Sequence, residues 1–274
     1  NGDLRVVGAL TLDNADITLA SDGSSTFLRS ITGPWSIGGN GSILFGGSHN
    51  AVRANNYLGY GSGAYSLSIG SGVTVAGANG GYIYFGNNGV NAGTISANTA
   101  GKEISLNSWA TTDTWTNSGT VRANGGILST NDTWSSTGTL QLDSGILFLG
   151  GSFNTASFNT LVRPADADRG SLNLVGTLNN ANSTLLLDGS TGTLAFGGNI
   201  SSGTVRINNA NGGALNTGYA GFSGSSFGGS NTATLTNVTL GNIANVADSG
   251  HLTIANNGDL RVVGALTLDN ADIT

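Results

Sequence analysis

Residues Asn1–Thr18, NGDLRVVGALTLDNADIT, recur without a single change at Asn257–Thr274, 256 residues further on. Structural demand alone would not preserve exposed and buried positions alike, so the chain reads as a repeated sequence. Residues 1–256 are expected to form one unit of a tandem array, and residues 257–274 to open the next, identical unit. Within the stretch the aliphatic residues alternate, as Leu4/Val6, Leu10/Leu12 and Ile17/Leu19, which is strand periodicity. Gly8 and Asp13–Asn14 supply the turns between them. Three short strands joined by tight corners make about one turn of a three-sided coil.

The same phrasing continues outward from that stretch. GSILFGG at 41–47 returns as GYIYFGN at 81–87, GILFLGG at 145–151 and GTLAFGG at 192–198. Each is a strand with large inward residues, such as Ile43 and Phe45, ended by glycine at a corner. VRAN at 52–55 and 121–124 and VRIN at 205–208 form a second phrase, with the arginine outward and asparagine ending the strand in a left-handed conformation. Trp115–Leu128 aligns with Trp134–Leu147 at an offset of 19, and Phe153 stands where a third tryptophan would fall. One step earlier GTISAN at 93–98 precedes GTVRAN at 119–124 by 26. Rungs of 19–26 residues with no helical signal indicate an all-β chain, a parallel β-helix or β-solenoid. Rungs spaced by about 4.8 Å put the unit at roughly 50–60 Å of axial rise.

Composition supports an ordered fibre-like chain. Gly is 46 of 274 residues and Pro only 2, while charged residues are 9% against roughly 25% in ordinary soluble domains. Hydrophobic content of 38% is spread through short runs, and none approaches a membrane span. Cys is absent, which removes disulfides and thiolate metal sites. A net charge of −6 excludes the basic stripe expected of a nucleic-acid binder.

The phrases NSGTVRANGGIL, SSTGTLQLDSGILFLGG and GTLNNANSTLLLDGSTGTLAFGG resemble the β-strand repeats of bacterial autotransporter passengers and large filamentous adhesins. The resemblance is strongest over Asn91–Gly198. It implies a right-handed parallel β-helix on the cell surface, used for adhesion, biofilm or fibre formation. It transfers no functional residue.

Catalysis finds little support. Lyases and hydrolases on β-helices need clustered carboxylates with Lys or Arg in a groove. The densest acidic group, Asp166/Asp168/Arg169, reads as a polar loop between rungs rather than a Ca²⁺ site or acid pair. His49 and His251 stand apart beside turns, and the Asp-Thr-Trp phrases at Asp113 and Asp132 lack a nucleophile constellation. No enzyme activity, cofactor or metal is expected. Trp115 and Trp134 share one face of adjacent rungs, either exposed as a platform for sugar rings or buried as a core ladder. Tyr57, Tyr60 and Tyr65, and the stretch Gly218–Ser230 with Tyr219, Phe222 and Phe227, break the strand pattern and read as loops bulging from the shaft. They are either plain connections or lateral contacts between neighbouring shafts. Arg53, Arg122 and Arg206 are expected to pair with Asp on adjacent rungs. The expectation is therefore a structural segment of an extracellular filament that contacts itself end to end. The alternative is a cell-surface adhesin stalk binding a glycan or host surface.

Overall fold

The computed structural model describes residues 2–61, 65–108, 110, 112–164, 169–221, 226–243, 246–247 and 249–274. Among the described residues the chain is a three-sided parallel β-helix, and every ladder joining its strands is parallel. The first face begins with Gly2–Val6, over which stack Thr26–Ser30, Asn56–Leu58, Gly81–Tyr84 and Glu103–Asn107. Residues 127–130 and 146–149, then Ser171–Leu174, Thr193–Phe196, Ala214–Thr217 and His251–Thr253, complete it. The second face starts at residues 9–13 and the third at residues 15–20, both within the single bent strand Ala9–Ala20. Asn14, at φ 50, makes the corner between them.

The offsets read from sequence are the ladder registers. Trp115 lies directly beneath Trp134, 19 residues on, and Thr94 beneath Thr120, 26 residues on. Alternation then sends every second side chain inward, where identical positions stack. Ile104, Leu128, Leu147, Leu172, Leu194, Leu215, Leu252 and Ile273 form one such column on the first face. Phe85, just after the first-face strand Gly81–Tyr84, stacks on Trp115 of the second face, and Trp134 and Phe153 continue that column, with centroids 4.9, 5.8 and 4.5 Å apart. At the corner between second and third faces the interior is polar. The Asn91 amide donates to Asn117 Oδ1 (2.8 Å) and the Asn117 amide to Ser136 Oγ (3.1 Å), while both also reach backbone carbonyls. A buried amide is tolerated there because its bonds are made within the column.

Two local expectations differ from the structure. VRAN at 52–55 is not a strand but an approach to Asn56–Leu58. The left-handed residue after the second VRAN is Gly125, at φ 93, whereas Asn208 caps a short 3₁₀ turn that Gly212 ends. Asparagine takes the left-handed corner elsewhere, as at Asn88 and Asn182.

Trp115 is fully buried and Thr116 beside it is exposed. Trp115→Ala is expected to cost about 3–5 kcal/mol in urea denaturation, and Thr116→Ala less than about 0.5 kcal/mol. Similar small losses for both would contradict the inward ladder.

Candidate interaction surface

The exterior of the first face carries a second aromatic ladder. Phe27, Tyr57 and Tyr82 are register partners on three successive rungs and point outward, since Leu28, Leu58 and Ile83 are buried beside them. Phe27 stacks on Tyr57 at 5.1 Å and Tyr57 on Tyr82 at 5.0 Å, with interplanar angles of 20° and 6°. Strand spacing of about 4.8 Å brings the rings into offset stacking at little cost. Tyr60 packs back on Phe27 and Tyr57, and Tyr84 closes the cluster edge-on to Tyr60 at 5.2 Å. Burial raises the phenol pKa of Tyr57 and Tyr84. The two outer ring faces are covered by cations, Arg29 at 4.7 Å over Phe27 and Arg53 at 5.3 Å over Tyr82. Arg29 is held in turn by Asp3, at 2.9 and 2.8 Å. Stacking and the two guanidiniums together cover the ring faces of Phe27, Tyr57 and Tyr82.

Beyond Tyr82 the same outward column continues as Ser105, Ser129 and Phe148, all fully buried although they point away from the core. Tyr219, Ser226 and Phe227 cover them. Tyr219 and Ser230 pair as an antiparallel bridge. Phe227 and Tyr219 pack on Phe148 at 5.6 and 5.9 Å. Glycine is needed beneath them: a Cβ on Gly150 would stand 2.5 Å from Phe227, and one on Gly197 2.4 Å from Tyr219. The Ser226 amide donates to Glu103 Oε2 (2.8 Å), and its hydroxyl accepts from Arg53 Nη1 (2.9 Å). Glu103 is fully buried, with Ser129 Oγ on its other oxygen at 2.5 Å and Arg53 Nε at 3.5 Å.

These positions correct several sequence expectations. Trp115 and Trp134 are core residues whose indole nitrogens donate to the carbonyls of Asn131 and Gly150, so neither is a sugar platform. Tyr57 lies in a strand and Tyr65 is buried, its pKa pushed up to about 12 by burial, so this cluster is no bulging loop. Tyr219 and Phe227 turn onto their own shaft, which removes them from lateral contact; Phe222 lies outside the described residues. Arg206 does pair with Asp269 (3.4 Å), but Arg53 pairs with Glu103, and Arg122 donates to Ser96 Oγ (3.0 Å). Asp166 and Asp168 also lie outside the described residues. Among those described, no group of three His, Cys, Asp or Glu could hold a metal.

The second face was not singled out in the sequence, yet it carries two outward columns of short polar side chains. Thr114, Thr133, Ser152, Thr177, Asn199 and Thr234 form one, and Thr116, Ser135, Asn154, Asn179, Ser201 and Thr236 the other. Its signal was the polar residue on either side of each inward aromatic or aliphatic. No family model, curated protein or solved structure matches the chain. Among the described residues no helix is long and apolar enough to cross a membrane.

Two measurements probe this surface. Glu103→Ala should speed hydrogen exchange at the Ser226 amide and open Gly218–Ser230 to proteolysis; unchanged protection would mean that Glu103 does not anchor it. Asp3 is held at about 2, against 3.8, chiefly by the hydrogen bond from Arg29. Its depressed pKa makes the contact with Arg29 stabilising above pH 3.8 and lost as pH falls toward 2. Exchange at Thr26–Ser30 should rise across that window, and Asp3→Asn should flatten the rise.

Proposed function

We propose that the chain is a structural segment of an extracellular filament in which 256-residue β-solenoid units follow one another end to end. The observation that carries this reading is the duplicated rung. One copy lies beneath a rung, Gly2–Val6 pairing with Thr26–Ser30 and Ala9–Ala20 with Trp35–Gly46. The other lies on top of one, Asp259–Asp269 pairing with Thr232–Gly241 and Asp272–Ile273 with His251–Thr253. A single eighteen-residue sequence thus has compatible neighbours on both sides, as continuation requires. A head-to-tail contact that does not close builds a filament.

A cell-surface adhesin stalk is the alternative, and the observation that favours it is the hydroxyl and amide array of the second face, which offers hydrogen bonds to a neutral glycan. Glycan-array binding lost on Thr116→Ala with Asn154→Ala would support that reading. Electron microscopy of native material tests the filament. Fibres with a layer line near 4.8 Å and a unit repeat of about 50 Å are expected; discrete monomers would overturn it.

A further inference from the structure

The two copies of the repeated stretch lie on different faces. Gly2–Val6 opens the first face, and residues 9–13 and 15–20 the second and third. In the later copy Asp259 pairs with Thr232 and Val262 with Leu235, which lies over Ile200 and Ser201's strand on the second face. Residues 266–269 then take the third face beside 238–241, and Asp272–Ile273 returns to the first, over His251 and Leu252. Every strand of the later copy is therefore one face further round. Local conformation is unchanged: Gly8 and Gly264 have φ 80 and 73, and Asn14 and Asn270 have φ 50 and 49. The inward direction is unchanged as well, since Leu266 and Ile273 pack on the core as their equivalents Leu10 and Ile17 do.

We infer that one 256-residue repeat advances the coil by ten turns and one face, and that residues 258–273 are the docking surface for the following unit, turned by a third of a revolution. The inference rests on the tandem-unit reading above. The occupant is the next copy's equivalent of Thr26–Gly46, because in this chain that segment covers the identical sequence: Leu4 lies under Leu28, Leu10 under Ile37 and Ile17 under Ile43. Charge agrees. Asp3 receives both Arg5 of its own strand (2.8 Å) and Arg29 of the rung above. Among the described residues its equivalent Asp259 receives Arg261 of its own strand (3.1 Å) and Thr232 of the rung below (3.4 Å), which leaves the next unit's arginine as the complement. The consequence is an array whose aromatic ladder faces three directions in turn and returns to its starting face only after three units.

Paired cysteines test the face advance in the full chain, which has no cysteine of its own. Thr234 and Arg261 are outward register partners on the second face, as are Thr239 and Thr267 on the third. Parallel neighbours about 4.8 Å apart meet disulfide geometry. Under mild oxidation T234C/R261C and T239C/T267C should each lose their free thiols and gain a mobility shift reversed by reductant, whereas T253C/R261C, on different faces, should not. Failure of both same-face pairs, or closure of T253C/R261C, overturns the face advance. Helical reconstruction of native filaments then tests the docking. A rise near 50 Å with about a third of a turn per unit supports it, and filaments whose units share one azimuth overturn it. Crosslinks without any filament would instead overturn the tandem-array reading and the docking built on it.

Discussion

Everything in this fold depends on in-register parallel pairing at a spacing of about 4.8 Å. A single rung buries almost nothing, because its three strands enclose a space only one side chain deep. Stacking converts each inward position into a continuous column and satisfies backbone donors and acceptors at once. The low charge content follows from the same constraint. A charged residue repeated at a fixed position would stack directly on its like neighbour, and like charges so placed repel. Arg5 and Arg29 are such partners, and Asp3 bridges them.

The spacing also explains why aromatic residues form ladders on both sides of the wall. Centroid distances of 5.0 and 5.1 Å outside, and 4.5 to 5.8 Å inside, are what strand pairing imposes and what offset stacking favours. On the outside, stacking consumes the ring faces that a sugar would need. Where the outer column falls to Ser105 and Ser129, the wall has a notch, and the arm bearing Ser226 and Phe227 fills it. The first face is thus finished by the chain itself, and the second face is left open to solvent.

Period and register were legible in the sequence because they reside in short phrases that repeat: Trp115 and Trp134, Thr94 and Thr120. The inward direction of the tryptophans was not, because polar neighbours such as Thr114 and Thr116 suit an outward platform and an inward ladder alike, and burial in the stacked rungs decides it. The placement of Ser226 and Phe227 was equally hidden, because it is fixed by contacts with Glu103 and Phe148 on rungs remote in sequence, and no local pattern encodes them. Tyr57, Tyr82 and Phe27 were separable from loop residues only through ladder register, which the irregular corners between them obscure.

The face occupied by the repeated stretch was illegible for a deeper reason. Its corner glycine and asparagine adopt the same conformation in both copies, and its inward residues stay inward, so nothing within the eighteen residues distinguishes one face from another. Face is an accumulated quantity, the sum of every strand and corner that precedes it. Rungs of different length, the 19-residue step at Trp115 and the 26-residue step at Thr94, change how many residues a turn takes without changing the sense of the coil. A three-sided wall built from interchangeable strands tolerates such a shift because each face demands the same alternation and the same spacing. Register along the axis is therefore held by local sequence, whereas azimuth is held only by the number of strands already laid down.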